Sequence, residues 1–319
     1  MGLQIVRFKK EGKERWGVLQ GEDIQVLQGA YATLASFLKE GVEEAKRAAQ
    51  QGTGEKANVN SAELLGPVTR PARIVCQGTN YATHLAEIGG APKRPPFNQI
   101  FSKMDSALTG PYSDIVRPKH VQLLDYEIEL GLVIGKEITG PVEITDDNLG
   151  EYVAGLVIVD DVSARDIQLS QGQWLKGKSY RTFCPTGPIL YLWDKDEVPL
   201  VHDLQLKLWV NDELRQSANS KELFYKPAET LTELSSIMDL SPGDLIATGT
   251  TGGVALKLTK EASAQIAAAS GSRKLETILE TQRDNLNRFL QDGDVVKLTI
   301  ASADGRISLG TQINKVVSE

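Results

Sequence analysis

The stretch "LLDYEIELGLVIG", residues 123–135, sets Glu127 and Glu129 two residues apart inside a run otherwise apolar enough for a buried strand. A strand period of two puts Asp125, Glu127 and Glu129 on one face and Tyr126, Ile128 and Leu130 on the other. Burying unpaired carboxylates is costly. Either this face meets water, as acidic strand faces commonly do, or a hard divalent cation sits between the acids and offsets their repulsion. In "GLVIVDDVSARD" a second apolar run, residues 156–159, ends in Asp160 and Asp161. A carboxylate there could be a strand cap, or the third member of an oxygen-only ligand set. Such a set suits Mg²⁺, Mn²⁺ or Ca²⁺ better than zinc, because no cysteine or histidine pair accompanies it.

Proton transfer has few candidates, since His84, His120 and His202 are the only histidines. In "QGTNYATHLAEIG", His84 and Glu87 stand at i and i+3, neighbours on a helix. A carboxylate beside an imidazole orients it and raises its basicity, although most such pairs are surface contacts. In "QWLKGKSYRTFCPTGP", Lys178 lies among glycines and small polar residues, where it could hold a substrate carboxylate or a developing enolate, or simply meet solvent. "SPGDLIATGTTGG" offers backbone N–H and hydroxyl groups to anionic oxygens. It lacks the Gly-Lys-Ser/Thr ending of a phosphate-binding loop.

The elements that must position these groups are mostly short strands. Residues 1–65 read as a small β-rich unit with a helix at "VEEAKRAAQQ" and a polar linker, "GTGEKANVNSAE". Residues 66–319 form the main body, with "VNDELRQ" as a hairpin turn. "SRKLETILETQRDNLNRFLQ" places Leu275, Ile278, Leu279, Gln282, Leu286, Phe289 and Leu290 on one face of a single amphipathic helix. Of the 319 residues, 41% are hydrophobic and 24% charged, as in soluble globular proteins, and the net charge of −7 argues against a nucleic-acid partner. No apolar run is long enough to span a membrane. Two cysteines are too few for a disulfide framework, which points to the cytoplasm.

Taken in order, "GTNYATHLAEIG", "DYEIELGLVIG", "VDDVSARDIQ", "QWLKGKSYRTFCPTGP", "VNDELRQ" and "LSPGDLIATGT" resemble the fumarylacetoacetate hydrolase family. The resemblance implies a mainly β, α+β fold: a mixed β-roll with few helices, found as a homodimer. It implies Mg²⁺ or Mn²⁺ held by Glu127, Glu129 and Asp161, with Asp161 chosen over Asp160 because the match aligns on "DVSAR". It implies that His84 and Glu87 act as a dyad on water and that Lys178 binds substrate or oxyanion. Tyr81, Gln168, Thr182 and Thr250 match pocket positions, and Arg165 matches a buried structural cation. Two departures stand out: Thr251 replaces a proline, which would loosen that loop, and residues 255–289 insert a helical segment.

The chemistry so implied is hydrolysis of a C–C bond beside a carbonyl in a 2-oxo or 1,3-dioxo acid, of the acylpyruvase or fumarylacetoacetate hydrolase type. Oxaloacetate decarboxylation, or hydration or isomerisation of a 2-oxo-alkenoate, uses the same metal and enolate. A non-catalytic metal- or metabolite-binding scaffold is the reading from another class.

Overall fold

The computed structural model describes residues 2–52 and 54–319. Its strands and helices form the mixed α+β roll that the sequence implies. Among the described residues the largest sheet has 11 strands, and a second has five. Within the large sheet, Ile128–Ile134 is an interior strand, paired antiparallel with Val153–Asp160 on one side and Leu245–Ala247 on the other. Leu245–Ala247 runs parallel to Ile74–Gly78, whose other neighbour is Gln99–Lys103.

Every residue of Ile128–Ile134 is buried. The alternation read from the sequence therefore separates two buried faces, not a wet face from a dry one. That makes the acids on this strand expensive, since a buried charge needs a partner. Several strand ends converge beside them. Asp161 follows Val153–Asp160, and residues 248–253 follow Leu245–Ala247. Ile74–Gly78 leads through residues 79–81 into the helix Ala82–Glu87.

The first 65 residues are bound into the main sheet. Leu3–Lys10 pairs with Leu190–Leu192, and Glu63–Leu65 pairs back onto Leu3–Lys10. The segment read as a linker carries the strand Lys56–Asn58, which extends the same sheet beside Asp23–Val26. Local polarity hid these pairings because edge strands need only one partner. The hairpin at Asn211–Asp212 forms as read, with both residues at positive φ (50° and 65°).

The inserted segment differs from the single helix expected. It forms Lys260–Ala268 and Ser272–Thr281, then the 3₁₀ turn Arg283–Arg288. Gly271, at φ +58°, breaks the first junction. Ile278, Gln282, Phe289 and Leu290 are buried, but Leu286 is exposed because the change to 3₁₀ geometry rotates it off the apolar face. No described helix is long and apolar enough to cross a membrane.

Candidate metal centre and substrate cavity

One carboxylate oxygen from each of Glu127, Glu129 and Asp161 lies within 4.8 Å of the others, and all three residues are buried. Asp160, the neighbour not chosen from sequence, accepts the Glu127 N–H instead (2.9 Å), and its Oδ2 has no partner. Burial pushes the Asp160 carboxyl up to about 7.

The three ligand candidates sit in unequal fields. Lys178 Nζ donates to Glu127 Oε2 (2.7 Å) and Asp161 Oδ2 (2.6 Å). Lys103 Nζ donates to Asp161 Oδ1 (2.6 Å), and Arg165 pairs with Glu127 and, through Nε, with Asp125 (2.8 Å). Burial alone would raise Glu127, but Arg165 and Lys178 outweigh it and bring its carboxyl to about 2. Glu129 accepts only the Gly249 N–H (2.8 Å), so burial, then Asp161 and Glu127, raise it well above the carboxylate range. Burial would likewise lower Lys178, yet Asp161 and Glu127 raise it more, and it stays an ammonium.

Counting charges decides what the site lacks. Asp125, Glu127, Glu129, Asp160 and Asp161 face Lys103, Arg165 and Lys178, and all eight are buried. Five acids against three cations leave two carboxyls without a cation in a low-dielectric interior, and burial pushes both of these, Glu129 and Asp160, toward the protonated form. A dication offsets that excess, and carboxylate oxygens are the donors a hard one prefers. The residues present therefore fit Mg²⁺ or Mn²⁺.

Next to this cluster lies a cavity of about 120 Å³. Its polar side is made by His84, Glu127, Arg165, Gln168, Lys178 and Thr250. Its apolar side is made by Ile88, Phe101, Leu169, Trp174, Leu256 and Leu258. Burial lowers the His84 pKa, with Glu127 acting against the shift, so the imidazole is a neutral base near pH 7. Its Nδ1 has no hydrogen-bond partner.

Glu87 is not the partner of His84 in this structure. Both its carboxylate oxygens accept the Gly253 N–H (2.9 Å each), and Lys257 pairs with Oε1. Gly253 permits this approach, at φ +107°, where an added Cβ would collide with the Arg215 carbonyl. The dyad expected from i, i+3 spacing is thus replaced by a clamp that holds the C-terminal end of the Ala82–Glu87 helix.

The pocket residues read from sequence divide. Gln168 lines the cavity and accepts from Arg165 Nη1 (3.0 Å). Thr250 lines it too, donating to the Ile128 carbonyl (2.9 Å). Tyr81 does not: its ring is fully buried with Ala218 and Leu223. Thr182 does not either. At φ +72°, its hydroxyl accepts the Val116 N–H (2.8 Å) and fixes a turn. Thr251 leaves its loop tied where loosening was expected, because its hydroxyl meets that of Thr83 (3.2 Å) and its carbonyl accepts from Gln216 (2.8 Å). Arg165 is the buried structural cation the resemblance implied.

Sequence reading missed Lys103 and the role of Asp125. A lone lysine ending the strand Gln99–Lys103 looks like an edge-strand charge, and nothing local shows that it turns inward to Asp161.

Residues 73–317 match the family described as fumarylacetoacetate (FAA) hydrolase C-terminal, and residues 4–67 match one described as Rv2993c-like, N-terminal. This chain belongs to the fumarylacetoacetate hydrolase family. A Bos taurus protein named oxaloacetate tautomerase FAHD2B, mitochondrial, is 44% identical over 193 residues, which are 60% of this chain and 59% of that protein. The match thus spans less than two thirds of that relative's length. A solved structure of 2-hydroxyhepta-2,4-diene-1,7-dioate isomerase from Mycobacterium marinum superposes with a TM-score of 0.70 at 25% identity, covering 99% of each chain. Maleylpyruvate hydrolase from Sphingobium sp. SYK-6, solved with manganese(II) and pyruvate, gives 0.69 at 27% identity, again over 99% of each chain. By name these relatives are enzymes: a tautomerase, an isomerase and a hydrolase.

Proposed function

We propose that this chain is a divalent-metal enzyme that hydrolyses a C–C bond beside a carbonyl in a short 2,4-dioxo acid, an acylpyruvase-type reaction. The observation that carries this reading is the two-sided cavity. Glu127 of the carboxylate triad, an ammonium and a neutral imidazole stand on one side, and an apolar wall fit for an acyl group stands on the other. Glu127, Glu129 and Asp161 would hold Mg²⁺ or Mn²⁺, which when bound would chelate the adjacent oxygens of a 2-oxo acid and offset enolate charge.

The chain's own groups supply the rest. His84, neutral and buried, takes a proton from water as the hydroxide adds to the distal carbonyl. The C–C bond breaks, and its electron pair passes to the departing 2-oxo acid as an enolate. Lys178 stabilises that oxygen, and the apolar wall excludes competing water. The enolate carbon takes up a proton, giving a carboxylic acid and a 2-oxo acid. The clamp on Glu87 fixes the helix that carries His84.

A second reading, proton transfer or decarboxylation on oxaloacetate, is favoured by one observation. With Glu87 held by Gly253 and Lys257, His84 lacks the carboxylate that would orient it toward water. A tautomerase needs only an imidazole that moves a proton between carbon and enolate oxygen, and the bovine relative carries that name.

Acetylpyruvate and oxaloacetate, assayed side by side with Mg²⁺ or Mn²⁺, separate the two. In His84→Ala, pyruvate release from acetylpyruvate falls by about 10²–10⁴-fold. Turnover of oxaloacetate by wild type with no pyruvate release from acetylpyruvate would remove the hydrolase reading, and loss of that turnover in His84→Ala would assign the proton transfer to the imidazole.

The proposal extends to a cytoplasmic protein, since Cys76 and Cys184 are free thiols. It also includes a homodimer, supported by exposed apolar side chains such as Phe97, Met104 and Ile237. Sedimentation at the monomer mass would contradict the dimer.

A further inference from the structure

Residues 255–259 join the Thr/Gly-rich loop to the inserted helices, and their side chains alternate. Leu256 and Leu258 line the cavity, while Lys257 between them turns away to pair with Glu87. The backbone is fastened along its length. Ala255 and Leu256 N–H donate to the two oxygens of Asp125 (2.7 and 3.0 Å). Lys257 N–H donates to the Gln282 amide oxygen (3.3 Å), and Gln282 Nε2 donates back to the Lys257 carbonyl (2.7 Å). Asn285 holds the Ala255 carbonyl, and Leu258 N–H donates to the Glu87 carbonyl (2.9 Å).

Gln282 and Asn285 belong to the inserted segment, and Gln282 is fully buried. Asp125 also holds Arg165 Nε. The same carboxylate therefore ties the wall to the charged cluster, and the insertion ties it from behind. A segment held from both sides cannot yield to a large ligand.

We propose that Leu256 and Leu258 are the specificity wall of the site, and that the insertion is what keeps it rigid. The wall restricts the site to 2-oxo acids whose group beyond the carbonyl is short. The cavity, about 120 Å³, is far below the roughly 300–1,000 Å³ of drug-sized pockets, so a metal-held 2-oxo acid leaves space for only about one to three further carbons. This inference rests on the 2-oxo acid reading of the site.

Its test uses binding, so that it does not depend on which reaction the site performs. Pyruvate, 2-oxobutanoate, 2-oxopentanoate and 2-oxohexanoate are titrated into the Mn²⁺-loaded protein by calorimetry. Wild type loses tenfold or more in affinity between pyruvate and 2-oxohexanoate. Leu256→Ala removes three carbons from the wall and reverses that order, since each newly buried methylene gains about fourfold. Leu258→Ala, at a less buried position, moves the preference the same way and carries the test if Leu256→Ala does not fold. Leu256→Met keeps the wild-type order.

Equal wild-type affinity for all four acids, or an unchanged order in folded Leu256→Ala and Leu258→Ala, overturns the wall. Binding of Mn²⁺ with no binding of any 2-oxo acid overturns the parent reading instead, and the wall with it.

Discussion

Glu129→Gln abolishes Mn²⁺ binding and turnover, yet leaves the metal-free protein at least as stable as wild type. Glu129 has no cationic partner and accepts one backbone N–H, which a glutamine carbonyl also accepts. Without metal, burial and the neighbouring Asp161 and Glu127 hold its carboxyl toward the neutral form, so a neutral amide in its place costs no ion pair. Glu127→Gln behaves oppositely. It strips one of two carboxylate partners from each of Arg165 and Lys178, both buried, and breaking a buried pair costs about 3–5 kcal/mol. Urea unfolding in EDTA reads both effects. With Mn²⁺ at a hundred times its dissociation constant, wild type gains about 2.7 kcal/mol and Glu129→Gln gains nothing. A Glu129→Gln variant as unstable in EDTA as Glu127→Gln would show that Glu129 is a structural anchor and not a ligand.

Asp125→Ala lowers stability by about 3–5 kcal/mol, although Asp125 is not one of the three carboxylates of the triad. Asp125 is fully buried and accepts from Arg165 Nε and from the N–H groups of Tyr126, Ala255 and Leu256. Its loss leaves Arg165 short of one carboxylate and three N–H groups without their acceptor. Asp125→Asn keeps oxygen acceptance but not charge, and its loss is about half as large. Chemical denaturation checks both variants, and a loss below about 1 kcal/mol for Asp125→Ala would mean that water replaces the carboxylate. Because the same group pins residues 255 and 256, Asp125→Asn also weakens discrimination by acyl length.

What could be read from the sequence was whatever is local. The Glu127–Glu129 spacing, the Asp-Asp strand end and the Asn211–Asp212 turn each express a backbone period or a turn preference within a few residues. The order of motifs added the family and the three carboxylates, with Lys178, that the structure brings together. What escaped was decided by contacts distant in sequence. Lys103 meets Asp161 across 58 residues, and Asp125 meets Ala255 across 130. Thr182 has the right neighbours for a pocket residue, but its positive φ turns the hydroxyl to Val116. The spacing of His84 and Glu87 permitted a dyad, and two competitors, the Gly253 N–H and Lys257, took the carboxylate. The helix period over residues 272–290 was real, but the α-helix ends at Thr281, where the Gln282 side chain binds the Lys257 backbone and 3₁₀ geometry follows.

The central claim is that three buried carboxylates hold a divalent ion on which turnover of a 2-oxo acid depends. The most direct measurement combines Mn²⁺ titration calorimetry of EDTA-stripped protein with acetylpyruvate cleavage at each point of the titration. One ion binds per chain, activity rises in step with occupancy, and both are lost in Glu129→Gln. Cleavage that persists without metal, or Mn²⁺ binding that survives Glu129→Gln unchanged, would contradict it.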